Sequence, residues 1–176
     1  MMDGRTTILL ACVVLGASCF LGCSKTKDES STGSSLTAAT RESIDAAVSA
    51  YESIRESLAE DRSDVGGQAL ALADSAQTAL ASAPSPLHPP LRDLVTASRQ
   101  LAGVAGSDLG AARRAFGDVS RALISVLSAE PSLHQDIHVY ECPMAKGYKR
   151  WVQVAEGAAN PYMGRDMLQC GTEIEL

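Results

Sequence analysis

Apolar residues recur every three or four positions in successive segments of the chain, which is the period of an amphipathic helix. The first segment predicts a helix over residues 40–58, and its apolar face is formed by Ile44, Ala47, Val48, Tyr51, Ile54 and Leu58. A second helix is predicted over residues 65–80. Either Ser63 or Asp64 can supply its N-terminal cap, because both side chains accept hydrogen bonds from the first free N–H groups of a helix.

Prolines separate the second helical segment from the third. Residues 84–90 (PSPLHPP) predict an irregular connector, since each proline lacks an N–H donor and restricts the residue before it. Pro90 suits the first turn of a third helix that extends to Ala102. Asp108 is expected to cap a fourth helix, which ends before Pro131 and carries Leu109, Ala112, Phe116, Val119, Leu123 and Leu127.

These segments predict a mainly α fold. Four amphipathic helices with short links favour an up-down four-helix bundle over residues 36–132. The pattern then changes, and short strands are predicted at residues 138–142, 151–154 and 172–176. Residues 133–176 should therefore form a small, irregular α/β lobe packed on the bundle. Because the four apolar faces complement one another, the bundle is expected to fold without this lobe.

The N-terminal segment resembles a lipoprotein signal peptide. Residues 6–22 are apolar, follow Arg5 and end in Phe20-Leu21-Gly22 before Cys23, which is similar to the site cut by lipoprotein signal peptidase. A membrane-spanning helix needs about 20 apolar residues, so a retained anchor helix is the weaker alternative, and Cys19 is a weaker attachment site. Residues 1–22 are thus expected to be removed and Cys23 to carry lipid.

A polar stretch follows the proposed lipid attachment residue. Residues 24–35 contain Ser, Lys and acidic residues but no large apolar side chain, which is typical of a flexible tether. Ser24 takes the place of the Asp that retains many bacterial lipoproteins in the inner membrane. These features predict an envelope protein that is anchored through lipid, faces the periplasm and resides at the outer membrane.

The net charge of the protein indicates which kind of partner is not expected. The formal net charge is -6, and no basic stripe is available to neutralise phosphates, which argues against nucleic acid. The sequence contains only two Phe, one Trp and four Tyr. This composition favours slim helices packed through small residues.

Five cysteines are present, and only two of them fall in the predicted folded part. Cys12 and Cys19 belong to the signal peptide, and Cys23 is the lipid attachment residue. Cys142 and Cys170 remain. In an oxidising envelope such a pair forms a disulfide in many proteins.

Other sulfur donors surround these two cysteines in the sequence. An extended segment would place His138, Cys142 and Met144 on one face, and a helical segment would do the same for Met163, Met167 and Cys170. Thiolate and thioether are soft ligands that select Cu(I) over zinc. The residue spacing alone leaves two possibilities open, a soft-metal site and a disulfide with gap-filling methionines.

The lobe also resembles a known family. The matching strings are YECPMA, WVQV around Trp151, NPYMG from Asn160, Met167 and Cys170-Gly171. They are similar to a bacterial envelope domain of unknown function that occurs alone or at the C-terminus of copper/silver efflux periplasmic adaptor proteins. The resemblance extends through the helices, with Leu58-x2-Asp61 in the first and Arg114-x-Phe116-x2-Val119-Ser120 in the fourth.

The resemblance implies a heavy-metal role, chiefly for copper(I). It implies that Cys142, Met144, Met167 and Cys170 are ligands. Met163 is a further candidate within the motif, and His138, which lies outside the motif, is a candidate from the residue pattern alone. It also implies loop-shaping roles for another set of residues, namely Pro143, Asn160, Pro161, Gly164 and Gly171. Met163 departs from the aromatic residue expected after the family's tyrosine.

Two functions follow as expectations. The first is an envelope lipoprotein that binds Cu(I) or Ag(I) for buffering, or for transfer to a heavy-metal efflux or cuproenzyme-assembly partner. The alternative is an interaction module in which a Cys142–Cys170 disulfide staples the lobe and no metal is bound. An enzyme is not expected, because the sequence contains no HExxH, no phosphate-binding glycine loop and no CxxC pair.

Overall fold

Four α-helices form the larger part of the computed structural model, which describes residues 36–176. They are α1 (Ala38–Ala59), α2 (Gly66–Ser82), α3 (His88–Val104) and α4 (Leu109–Ala129). Each helix packs against the next one along the chain. The predicted fold class, a mainly α bundle with a small α/β lobe, is confirmed. Cys23 and the expected signal peptide and tether lie outside the described residues.

Helix caps agree with the sequence at one position and differ at another. The Asp108 carboxylate accepts from the N–H groups of Gly110 and Ala111, at 3.1 and 2.8 Å, as its position before α4 predicts. The prediction of a Ser63 or Asp64 cap is wrong, because Val65 is the N-cap of α2 and makes no side-chain cap. The Ser63 carbonyl instead accepts from the Gly106 N–H at 2.7 Å, which ties the start of α2 to the end of α3.

The proline-rich connector is more regular than its composition indicates. Ser85–Leu87 form a single 3₁₀ turn, and α3 begins directly afterwards at His88. Pro89 and Pro90 lie in the first turn of α3, where the missing N–H groups cost nothing. Leu87 is buried, so the connector closes one end of the bundle.

Within the bundle, α2 contributes mainly small side chains to the core. On α2 every fully buried residue except Leu72 is an alanine: Ala69, Ala73, Ala76 and Ala79. Such small side chains allow close helix approach, as the composition predicts. The large rings lie elsewhere, between α1 and α4, where Tyr51 stacks on Phe116 with ring centroids 4.8 Å apart. Among residues 36–176, no helix has the length and apolar character needed to cross a membrane.

The lobe is built on a three-stranded antiparallel sheet. Its strands are β1 (His138–Glu141), β2 (Arg150–Gln153) and β3 (Thr172–Ile174), and β1 is central. Trp151 on β2 lies opposite Tyr140 on β1, and Glu173 on β3 lies opposite the other side of Tyr140. Trp151 is completely buried, and β2 packs on α4. The lobe therefore shares its core with the bundle.

Candidate functional site

Cys142 and Cys170 converge because of the strand order. Cys142 follows β1 and Cys170 precedes β3, and antiparallel pairing of these neighbouring strands brings the end of one beside the start of the other, with Glu141 opposite Thr172. The two sulfur atoms lie 2.6 Å apart although the residues are 28 positions apart in sequence. Both are free thiols. Cys142 is fully buried, whereas Cys170 is partly exposed.

Asn160 organises the loop that faces the thiols. This side chain is completely buried. Its Nδ2 donates to the Cys170 carbonyl at 2.5 Å, while its Oδ1 accepts from the N–H groups of Tyr162 and Met163 at 2.8 and 3.1 Å. The Asn160 N–H also donates to the Leu168 carbonyl. One amide side chain thus joins the NPYMG turn to the segment that carries Cys170.

Two arginines of the bundle hold the same turn from either side. The Arg55 guanidinium on α1 donates to the Ala159 carbonyl at 2.8 Å, and Arg113 on α4 donates to the Pro161 carbonyl at 2.8 Å. These carbonyls flank Asn160 in sequence. Because each cation comes from a different helix, the position of Asn160 is fixed relative to the whole bundle.

Each of these arginines has a carboxylate partner. Arg55 is almost completely buried and makes two bonds to the Glu52 carboxylate, at 2.7 and 2.8 Å. Arg113 pairs with Asp61 at 2.7 Å, and the Arg165 N–H contacts the other oxygen of Asp61. Hydrogen bonding to Arg113 is the main cause of a lowered pKa at Asp61. Asp61 therefore stays ionised and links the end of α1 to α4 and the lobe.

A group of hydroxyls connects the bundle to β2. The hydroxyls of Tyr51 and Ser120 lie 2.7 Å apart, and the Val152 N–H donates to the Tyr51 oxygen at 3.1 Å. The Tyr162 hydroxyl donates to the Arg150 carbonyl at 2.6 Å and lies within 3.1 Å of the Ser120 hydroxyl. Burial raises the pKa of both tyrosines. They remain neutral hydrogen-bonding groups that join α1, α4 and the lobe.

The thiols are electrostatically unequal. Burial raises the pKa of Cys142, but a hydrogen bond from the Cys170 thiol opposes that effect. Bonds from the N–H groups of Met144 and Ala145 and from the Asn160 side chain add to this opposition, and the pKa of Cys142 falls below its ordinary value. Acting as donor to Cys142 is the main cause of a raised pKa at Cys170. Cys142 therefore has the lower pKa of the two and is the thiol that loses its proton first.

The candidate thioether ligands divide between two cavities. Met167 lines the same open cavity as Cys170, and the Cys170 N–H donates to the Met167 carbonyl at 3.0 Å. Met144 and Met163 line a second cavity beside the start of α4. Met144 is 58% exposed. Met167 is therefore the methionine that shares a cavity with a thiol.

His138 lies away from the thiols. Its Nδ1 is 2.7 Å from a carboxylate oxygen of Glu173 on the neighbouring strand, and it occupies the first position of β1. At roughly 3.3 Å per strand residue it is about 13 Å along the chain from Cys142. The structure therefore does not bring this possible ligand to the cysteine pair.

The predicted helical face of Met163, Met167 and Cys170 does not form. Gly164–Met167 is a 3₁₀ turn that ends before Cys170. Gly164 has φ +61°, a conformation that favours glycine, and the Asp61–Arg113 pair occupies the space that a side chain would need. This turn prevents a continuous α-helix and sends Met163 and Met167 to different cavities.

A zinc-like cluster is not found within the described part of the chain. No three His, Cys, Asp or Glu side chains of residues 36–176 group closely enough to hold a metal ion. The available donors at the thiol pair are two sulfur atoms and the neighbouring Met167 thioether. This donor chemistry fits a soft monovalent ion that accepts two or three ligands and does not fit zinc.

The comparisons with known proteins give no family assignment. No family model, curated protein or solved structure matches this chain. The envelope-domain resemblance therefore stays a hypothesis.

Sequence reasoning missed the residues that hold the site to the bundle. Asn160 was expected only to shape a loop, and Arg55, Arg113 and Tyr51 were given no role at the site. A usable signal is the position of Arg55 directly after Ile54 on the apolar face of α1, since a cation beside a core position needs a partner. The Asp61 and Ser120 positions noted in the family resemblance both contact the lobe.

Proposed function

We propose that this chain is a cell-envelope lipoprotein that binds one soft monovalent ion, Cu(I) or Ag(I), through reduced Cys142 and Cys170. It would buffer the ion or transfer it to an efflux or cuproenzyme-assembly partner. The observation that carries the proposal is the convergence of the two thiols beside a cavity that Met167 also lines. Lipid attachment at Cys23 is proposed from the sequence pattern alone.

The surroundings of Cys142 make its thiol easier to deprotonate. Backbone N–H groups and the Asn160 amide lower the pKa of this thiol. A thiolate is the metal-binding form of cysteine and a much stronger hydrogen-bond acceptor than a disulfide sulfur.

Binding of an ion requires a small local opening. A metal–thiolate bond is about 2.3 Å long for zinc, so an ion between the thiols must separate sulfurs that lie 2.6 Å apart. Cys170 is partly exposed and follows a short turn, so its side chain is the one that can move. Met167, in the cavity beside Cys170, is the proposed third donor.

The second candidate is a disulfide-stapled interaction module. The 2.6 Å distance between the sulfurs of Cys142 and Cys170 favours it. This distance is close to the bonded sulfur–sulfur length of about 2.05 Å and leaves no room for an ion. Oxidation would join the two sulfurs and release two protons and two electrons to an external oxidant. The lobe would then be fixed to the bundle by this bond as well as by the arginine and hydroxyl contacts.

A competition titration separates the two candidates. Reduced protein comprising residues 24–176 is titrated with Cu(I) against a chromogenic chelator, alongside Cys142→Ser, Met167→Leu and Met144→Leu variants. We expect Cys142→Ser to abolish tight binding and Met167→Leu to weaken it about tenfold, or roughly 1.4 kcal/mol. Met144→Leu is the matched control and should leave the affinity unchanged. Zn(II) binding should not respond to either methionine change.

Two results would favour the staple over the metal site. One is a wild-type protein that competes for Cu(I) no better than Cys142→Ser. The other is a Cys142–Cys170 disulfide that persists under the thiol–disulfide potential of the envelope, measured by counting free thiols in protein isolated with an alkylating agent. The anchor is tested separately, because Cys23→Ala should release the protein from the membrane fraction whichever site is correct.

A further inference from the structure

A cavity separate from the thiol pair lies between the start of α4 and the loops of the lobe. Its volume is about 320 Å³. Three cationic side chains and three apolar ones account for nearly all of its lining: Arg113, Arg114, Lys146, Met144, Tyr162 and Met163. Among residues 36–176, no carboxylate lines it, although the protein as a whole is acidic with a net charge of -6.

Two of the three cationic side chains are available to pair with a ligand. Arg113 is engaged by Asp61 and by the carbonyls of Leu58 and Pro161. Arg114 has only a 3.8 Å contact with Asp108, whose oxygens already accept from the first N–H groups of α4. Lys146 makes no ion pair within residues 36–176. Arg114 and Lys146 are therefore the anion-binding groups of this cavity.

The apolar part of the lining is unusually exposed. Met144 is the most exposed large apolar side chain of the described residues, and it shares the cavity with Met163 and the Tyr162 ring. Methionine is flexible and adapts to ligands of different shape. A metal cation would be repelled by the three positive side chains, so these two thioethers suit the apolar body of an anion better than they suit an ion.

We propose that this cavity binds a small organic monoanion with an apolar body. Its carboxylate would lie between Arg114 and Lys146, and its apolar part would pack on Met144, Met163 and Tyr162. The volume is at the lower end of the roughly 300–1,000 Å³ seen for ligand pockets, which fits an acid of about the size of 3-phenylpropionate. This site does not depend on metal binding at Cys142 and Cys170.

The probe is 3-phenylpropionate, compared with its uncharged amide of nearly the same shape. Binding to residues 24–176 is followed through the methyl NMR signals of methionines labelled with ¹³C. We expect saturable shifts at Met144 and Met163 and none at Met167. The amide should bind at least about tenfold more weakly, and added salt should weaken the carboxylate because the cations are exposed.

Charge variants locate the anion. Arg114→Gln and Lys146→Gln should each reduce the affinity about fivefold, or roughly 1 kcal/mol. Arg99→Gln removes the same charge from the exposed surface of α3 and is the matched control, with no expected change. Cys142→Ser should also leave anion binding unchanged, which keeps this test separate from the metal proposal.

Three outcomes would overturn the proposal. The first is an amide that binds as tightly as the carboxylate, and the second is a double Arg114→Gln, Lys146→Gln variant with wild-type affinity. The third is the absence of saturation at Met144 and Met163 up to about 10 mM probe.

Discussion

The bundle is stabilised by one kind of interaction and the lobe by another. The surroundings of Ser98 in the bundle and of Asn160 in the lobe illustrate the difference. Both side chains are completely buried. The Ser98 hydroxyl on α3 has no hydrogen-bond partner among the described residues, whereas the Asn160 amide makes three side-chain hydrogen bonds. Apolar packing dominates around Ser98, and specific polar contacts dominate around Asn160.

This difference determines how each region tolerates change. The bundle depends on many interchangeable apolar contacts, so it should withstand apolar substitutions that conserve side-chain volume. The lobe has only short strands, which are not stable alone. It depends on a few directional bonds that reach it from α1 and α4. Loss of one such hydrogen bond should destabilise the whole lobe and expose its thiols.

The largest expected effect comes from removing the lobe altogether. A fragment of residues 36–132 exposes Phe116 and the Tyr51 ring and leaves Arg55 without its lobe carbonyl. Each large buried side chain contributes about 1.5–3 kcal/mol, so we expect a loss of several kcal/mol and a broad, low-temperature melt by circular dichroism. A cooperative melt at the temperature of the full chain would instead support the sequence-based prediction that the bundle folds without the lobe.

Next in size is Asn160→Ala. The N–H groups of Tyr162 and Met163 and the carbonyl of Cys170 lose their partner, and each buried polar group left unpaired costs about 1–3 kcal/mol. We expect a loss of about 3 kcal/mol or more in urea unfolding. The variant should also show faster alkylation of Cys142, because the loop that covers it is released.

One outcome for Asn160→Ala would contradict this prediction. A melting curve close to wild type together with slow Cys142 alkylation would mean that the arginines alone position the turn. Asn160→Asp provides a comparison, because it keeps the acceptor for two N–H groups and loses the donor to Cys170.

Acid should weaken the contact between bundle and lobe at Asp61. Its pKa is lowered in the folded protein, chiefly by Arg113, so ionised Asp61 contributes stability above its unfolded pKa of about 3.9, and that contribution is lost as pH falls through the lower folded value. Asp61→Asn should reduce stability slightly at pH 7 and flatten the acid side of the stability curve below about pH 4. Parallel wild-type and variant curves over that range would contradict the assignment.

The smallest expected effect is at Ser98. Ser98→Ala removes a buried hydroxyl that has no partner and replaces serine by a better helix former. We expect stability to stay level or rise by up to about 1 kcal/mol, measured by urea unfolding. A loss of more than about 1 kcal/mol would show that the hydroxyl is satisfied in solution.

The sequence was sufficient to predict the helices and the strands of the fold. Periodicity placed α1 within a few residues of Ala38–Ala59, and Asp108 marked the start of α4. The Ser63 or Asp64 cap was not predictable in the same way, because α2 begins only at Gly66, after Val65, and the backbone at Ser63 is held by the Gly106 N–H from the loop that follows α3. Local signals predict local structure and fail where a distant group competes.

The candidate site was predictable in its chemistry and only partly in its geometry. The two cysteines were identified, but their contact depends on the pairing of β1 with β3, which sequence spacing does not reveal. The division of Met163 from Met167 arises from a 3₁₀ turn at Gly164–Met167. The supporting arginines are long side chains whose targets are backbone carbonyls, and carbonyls carry no sequence signal.

The hydrogen bonds from Arg55 and Arg113 to the carbonyls on either side of Asn160 imply an order of events during folding. The Asn160 turn is fixed only after α1 and α4, which are distant in sequence, have come together, and contacts of long sequence separation form late. Cys170 is bonded to that turn through the Asn160 side chain and meets Cys142 through the pairing of β1 with β3, which is also a contact between segments distant in sequence. In a refolding experiment, thiol contact should therefore trail helix formation, so that a nascent chain exposes single, unpaired cysteines until its last step.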